Sequence, residues 1–199
     1  EHGRGLVALV DEVTRRAGWE RGMGADLIAV SQGPGSFTGL RVGLVCAKTI
    51  AALLAKTIVG VCSLDAMAEN APSEAVSVAT ALDAKRGQVY YAQYERDGGR
   101  LRRRSGPLLG APEAVTAGLT PPVRILGDAL RQYASVWSAG GAVALPEELW
   151  RIGASTVARL GLAAFRAGRS DEPFGLQPLY VRLPEAEERR LARVEGTRP

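Results

Sequence analysis

Residues suited to binding chemistry are most concentrated at Gly33-Pro34-Gly35-Ser36-Phe37-Thr38-Gly39 of this 199-residue chain. The stretch follows a short apolar run, Ala25–Ser31, and opens a long helical pattern that runs through Ala55. Glycines at such a turn permit positive φ and close approach of the backbone to a ligand. The N–H groups of a helix start attract anions. Gly33, Gly35, Ser36 and Thr38 are therefore the residues of a candidate phosphate cradle. The simpler alternative is a tight strand-to-helix turn with Ser36 or Thr38 as the N-cap. The stretch is not a Walker loop, because no Gly-Lys-Ser/Thr follows, and it is not a dinucleotide fingerprint.

Other chemistry is scarce. The chain has one histidine, His2, so a two-histidine metal site is excluded, and a Ser-His or Cys-His pair would have to use that one ring. His2 reads as an exposed residue near the start of the sequence. Cys46 and Cys62 have no Cys or His at ligand spacing and read as buried free thiols of a reducing compartment. Asp65, Glu69 and Asp83 read as solvated carboxylates. No catalytic residue and no metal is expected.

One basic cluster stands out. Residues 95–104 hold five arginines against Glu95 and Asp97, where the whole chain has a net charge of +4. Strand alternation places Arg100, Arg102 and Arg104 on one face. Next to Tyr90, Tyr91 and Tyr94 they are candidates for contact with nucleic-acid phosphates. The alternative is a solvated edge hairpin whose arginines discourage edge-to-edge pairing.

The elements that must position these residues follow from periodicity and turn chemistry. Leu6, Leu9, Val10, Val13 and Ala17 recur at helical spacing over Arg4–Ala17, and Gly18 ends the run. Ala25–Ser31 reads as a strand buried on both faces, and Lys56–Val61 as a second. Ser63 is a candidate N-cap for a short helix, Leu64–Asn70. Strands are expected at Ala75–Leu82, Gln88–Arg96, Arg100–Arg104, Val123–Leu126 and Ala142–Leu145. Asp97-Gly98-Gly99 makes a hairpin turn. Short helices are expected at Pro112–Gly118 and Ala129–Trp137, and Pro146 fits the first turn of a last long helix ending near Gly168. The class is α/β. A division near residues 70–75 gives a lobe over 1–72, a second over 73–185 whose last helix can cross back, and a charged tail over 186–199.

The helix behind the glycine loop has a narrow polar stripe, Arg41 and Lys48. Leu44, Ala47, Ala51 and Leu54 can cover a sheet. Val42, Val45, Cys46, Thr49 and Leu53 form a further face that also needs cover, either from the first helix or from a partner. No apolar stretch reaches the ~18 uncharged residues of a membrane span. No signal peptide is visible, and a cytoplasmic protein is expected.

The run Ser31-Gln32-Gly33-Pro34-Gly35-Ser36-Phe37-Thr38-Gly39-Leu40-Arg41-Val42-Gly43 resembles the signature of the bacterial TsaB (YeaZ) family. The likeness continues through Val59–Ala66, Asp83–Tyr90 and Pro178–Arg182. It implies an actin-like, Hsp70-like (ASKHA) fold of two α/β lobes. It also implies a non-catalytic, protein-binding role in making threonylcarbamoyladenosine in tRNA. The implied partners are a TsaD-like transferase, held as a heterodimer, and a TsaE-like ATPase. A homodimer is a further option, and tRNA is met indirectly. No cofactor is implied beyond weak or interfacial ATP or ADP.

In such proteins the first two helices meet the equivalent helices of a partner. Leu6, Leu9, Val10, Val13, Val42, Val45, Thr49 and Leu53 are the corresponding contact candidates. The catalytic paralogue carries two histidines one helical turn apart, whereas here His2 is followed at that spacing by Leu6. The family's usual opening strand, with an Ala-Ile-Asp-Thr-like motif, is not found. The first lobe is therefore expected to lack its first strands and to show an unpaired sheet edge. The alternatives are a nucleotide-dependent enzyme of the same fold or a peptidase, and a homodimeric binding protein.

Overall fold

The computed structural model describes residues 5–19 and 24–182. His2 and the charged tail over 186–199 lie outside the described residues. The elements alternate as an α/β chain. Helix α1 (Leu6–Arg16) precedes β1 (Leu27–Gly33), α2 (Phe37–Leu53), β2 (Thr57–Cys62) and α3 (Ser63–Ala68). Strands β3 (Ser77–Asp83), β4 (Val89–Asp97) and β5 (Arg100–Gly110) follow. The chain continues with α4 (Pro112–Ala117), β6 (Val123–Leu126), α5 (Leu130–Ala139), β7 (Ala142–Ala144) and α6 (Ala154–Arg166).

Two sheets result. Strands β1 and β2 pair in parallel, from Leu27 opposite Thr57 to Gly33 opposite Cys62. The second sheet has the order β5-β4-β3-β6-β7, antiparallel through β3, β4 and β5 and parallel from β3 to β7. The small sheet is sandwiched between two helices. On one face Leu44, Ala47 and Ala51 of α2 meet Ile28, Val30 and Ile58. On the other, Val157 and Leu160 of α6 meet Ala29 and Val61. The alternation of Ile28, Ala29 and Val30 decides which helix each one touches. Gly161 lets α6 approach this closely, since a Cβ there would lie 2.5 Å from the Ala29 Cβ.

The expectation that β1 is fully buried is corrected. Leu27 to Gln32 are only half-buried, because among the described strands β1 pairs with β2 alone and its other edge is open. Strand β2 is better enclosed. Beyond it, Asp171 N–H donates to the Ile58 carbonyl at 2.9 Å, and Gly60 N–H donates to the Asp171 carboxylate at 2.7 Å.

Two further expectations fail. The long helix from Pro146 to Gly168 is a 3₁₀ turn (Glu147–Trp150) and the separate helix α6. The Asn70 amide donates to the carbonyls of Leu149 and Arg151 at 2.8 and 2.7 Å, taking acceptors a continuous helix would use. Ser63 is the first helical residue of α3 and Cys62 holds the cap position. The Ser63 hydroxyl instead lies 2.7 Å from that of Ser31, tying α3 to β1. Strand β5 also runs on to Gly110, beyond the expected Arg104.

Candidate functional site

Gly33 ends β1 with φ +110, and a Cβ there would lie 3.0 Å from the Leu40 side chain and 3.1 Å from the Leu179 carbonyl. Only glycine turns the chain at this point without strain. Ser36 then caps α2, its hydroxyl accepting from Gly39 N–H at 3.4 Å. The loop forms one wall of a cleft of 1330 Å³ between the two sheets. Gly35, Ser36 and Thr38 line it, while Gly33 is buried behind them. The opposite wall comes from the β3–β4 turn, with Asp83, Lys85 and Arg86, and from Asp128 after β6.

The far wall is held by polar contacts. Asp83 Oδ1 accepts from Lys85 N–H at 2.7 Å, and Oδ2 meets the Lys85 ammonium at 2.6 Å. Asp128 accepts from Asp83 N–H at 2.8 Å. Burial pushes the Asp83 carboxyl up, but the hydrogen bonds and charge of Lys85, with the charge of Arg182, outweigh it. The carboxyl is held below its ordinary value of 3.8. A depressed carboxyl contributes stability that is present above the unfolded-state value and is lost as pH falls through the folded one. Asp83→Asn is therefore expected to destabilise the chain at neutral pH, and the difference from wild type is expected to shrink below about pH 3.8, measured by urea unfolding across pH.

A cleft of this size holds a nucleotide-sized ligand. The loop N–H groups and the cationic side chains suit an anion. Within this lining Lys85 is already engaged by Asp83.

The C-terminal segment closes one side of the cleft. Lys48 Nζ donates to the carbonyls of Leu176 and Phe174 at 2.9 and 3.3 Å, and Leu179 N–H donates to the Gln32 carbonyl at 2.7 Å. Arg41 Nε donates to the Tyr180 hydroxyl at 3.0 Å, and the Tyr180 ring stacks on Phe37 with centroids 5.4 Å apart. Arg182 then donates to the Ala84 carbonyl and to Gln88 Oε1. The polar stripe of α2 is thus the anchor of a segment more than 120 residues away. Sequence reasoning missed Tyr180 and Arg182 as cleft residues. The available signals were the family likeness over Pro178–Arg182 and the shared face of Arg41 and Lys48, seven residues apart.

The partner candidates fall into two groups. Leu9 and Val13 of α1 are 58% and 62% exposed, and Val45 and Leu53 of α2 are 63% and 78% exposed. Thr49 is exposed too, while Leu6, Val10 and Val42 are half-buried. Helix α1 buries none of its residues and does not cover the outer face of α2.

Most of the remaining candidates have structural partners. Arg102 pairs with Asp97 at 3.3 Å, Arg104 pairs with Glu95 at 2.5 Å, and Arg100 is exposed on the same edge strand. Tyr94 is buried, and its hydroxyl donates to Asp65 at 2.9 Å. Burial, with the Asp65 charge adding to it, pushes that phenol well above its ordinary range. Asp65 also takes Arg103 at 2.9 Å, and Glu69 takes Arg159 at 2.9 Å. Asp65, Glu69 and Asp83 are therefore paired rather than simply solvated. Cys62 is buried, and burial and the Asp65 charge push its thiol up, away from the thiolate a nucleophile needs. Cys46 is only half-buried, contrary to expectation. Among the described residues no three His, Cys, Asp or Glu side chains cluster as metal ligands. No helix among them is long and apolar enough to cross a membrane.

Comparison with known proteins adds a lineage to this geometry. The family model described as "TsaD: tRNA N6-adenosine threonylcarbamoyltransferase" matches residues 1–164. An uncharacterized protein of Mycobacterium leprae (strain TN) is 34% identical over 161 residues, covering 81% of this chain and 39% of that protein. The tRNA threonylcarbamoyladenosine biosynthesis protein TsaB of Escherichia coli (strain K12) is 34% identical over 99 residues, 49% of this chain and 42% of that protein. The chain thus spans about two fifths of the length of these two relatives. Among solved structures, YeaZ from Pseudomonas aeruginosa superposes with a TM-score of 0.77 at 26% identity, covering 90% of this chain and 84% of that one. A Pseudomonas aeruginosa protein described by its similarity to peptidase YeaZ gives 0.78 at 26% identity, covering 92% and 85%.

Proposed function

The chain belongs to the TsaB (YeaZ) family and has the actin-like (ASKHA) fold of TsaD- and YeaZ-type proteins, and from this we propose that it works in tRNA threonylcarbamoyladenosine biosynthesis as a non-catalytic subunit. In this reading it binds a TsaD-type transferase through α1 and α2 and holds that enzyme in its active arrangement. The observation that carries the reading is the uncovered apolar surface of these helices, with Leu53 78% exposed and Val45 63% exposed on α2. Apolar side chains that a fold leaves in water gain by moving against a partner. The single histidine supports a helper over a catalyst, since the two-histidine metal centre implied for the catalytic paralogue cannot be built from it. The expected partners are the transferase and a TsaE-type ATPase, with self-association through the same helices as the competing use.

Reconstitution tests the proposal. Threonylcarbamoylation of tRNA by the transferase and the ATPase is expected to require this chain. The chain alone is expected to hydrolyse neither ATP nor peptide. Transfer at the same rate without the chain would overturn the accessory reading. Hydrolysis by the chain alone that stops in Ser36→Ala or Thr38→Ala would replace it with an enzymatic one.

A further inference from the structure

We propose that Phe37, Arg41 and Tyr180, at the mouth of the cleft, stack an unpaired nucleotide of RNA, with its phosphates facing the guanidinium groups of Arg41 and Arg182. This rests on the reading of the chain as part of a tRNA-modifying assembly and names where it would touch the RNA.

Three observations carry it. The Phe37 and Tyr180 rings stack at an interplanar angle of 29°, and the Arg41 guanidinium lies 3.9 Å from the Phe37 ring centroid. Phe37 is nevertheless 40% exposed and belongs to none of the buried clusters. An accessible aromatic ring joined to an Arg plane is the kind of surface on which unpaired bases stack. Second, Arg41 and Arg182 make their hydrogen bonds among the described residues to neutral oxygens, those of Tyr180, Ala84, Lys85 and Gln88. Of the cleft carboxylates, Asp83 is bonded to Lys85 and also feels the charge of Arg182, while Asp128 accepts from Asp83 N–H. The hairpin arginines differ, because Arg102 and Arg104 are paired with Asp97 and Glu95. Apart from the exposed Arg100, the charge available to a phosphate therefore lies in the cleft rather than on β5. Third, Phe37, Arg41, Val45, Thr49 and Leu53 recur every four residues of α2, and all five are exposed. They form one oblique row, so a partner docked on Val45 and Leu53 sits beside the stack, and RNA carried by that partner passes it.

The test is fluorescence anisotropy with a labelled tRNA anticodon stem-loop and the full chain without partner proteins. Phe37→Leu keeps apolar contact with Tyr180 but removes the aromatic face. It is expected to weaken RNA binding about tenfold, while Phe37→Tyr retains it and the urea midpoints of both stay near wild type. Arg41→Gln is expected to lower the salt dependence by about one phosphate contact. Equal affinity for Phe37→Leu and wild type overturns the proposal, as does the absence of RNA binding. Phe37-dependent binding of AMP without binding of the stem-loop assigns the stack to a free nucleotide and also overturns it. The accessory reading fails separately, in reconstitution, because this assay contains no transferase.

Discussion

Val45→Arg is expected to weaken binding of this chain to a TsaD-type transferase by about 30-fold or more, the scale of a central interface residue, while leaving its thermal stability within about 0.5 kcal/mol of wild type. Val45 is 63% exposed on α2, so the new guanidinium stays in water in the free chain. Arg is also the better helix former of the two residues. In the complex the same guanidinium is forced against apolar surface without a counter-charge, and that desolvation drives the loss. Leu9→Glu, at 58% exposure on α1, is the companion variant. Affinity read by titration calorimetry and stability read by circular dichroism separate the two effects. Wild-type affinity in both variants would place the partner face elsewhere.

The neighbouring residue is expected to behave in the opposite way. Leu44 is 2% exposed and packs with Ala47, Ala51, Ile58 and Leu176, with Ile28 and Val30 alongside. Leu44→Ala removes this filling and leaves a cavity that the closely packed helix cannot collapse, at a cost of about 2–5 kcal/mol. For a chain of this size that lowers the melting temperature by roughly 5–15 °C. Binding of the folded fraction to the transferase is expected to persist at low temperature. One step along α2 thus separates stability from recognition, and a thermal scan alongside a pull-down reads both. A stable Leu44→Ala variant would mean that α2 does not carry the core on this face of the β1–β2 sheet.

Much of this arrangement was legible in the residues themselves. Leu44, Ala47 and Ala51 fall at helical spacing on the face that proves buried, and Val45, Thr49 and Leu53 fall on the face that remains wet. The β-hairpin at Asp97-Gly98-Gly99 follows from its turn chemistry. What was not legible depends on contacts between distant parts of the chain. The break before α6 is fixed by the Asn70 amide, about 80 residues away, with Gly153 at the new N-cap as the one local sign of it. Half-burial of β1 depends on the open sheet edge rather than on the composition of Leu27–Gly33, which reads as fully enclosed. Among the site residues, the glycine loop declared itself by its turn chemistry. Tyr180 and Arg182 fell within the family likeness over Pro178–Arg182, but their place in the cleft was not legible, because their partners Arg41 and Ala84 lie 139 and 98 residues away. The hairpin arginines drew attention by number alone, and the carboxylates opposite Arg102 and Arg104 absorb that charge.

The seat of α6 on β1, fitted at Gly161 against Ala29, has a bearing on biogenesis. A ribosome releases α6 roughly 100 residues after β2, an interval of about 5–20 s. Throughout that interval Ala29 and Val61 lack the helix that later shelters them. The nascent polypeptide therefore carries a half-built layer that a holding chaperone can shield, and the β1–β2 sheet gains its second cover only after the five-stranded sheet has been translated.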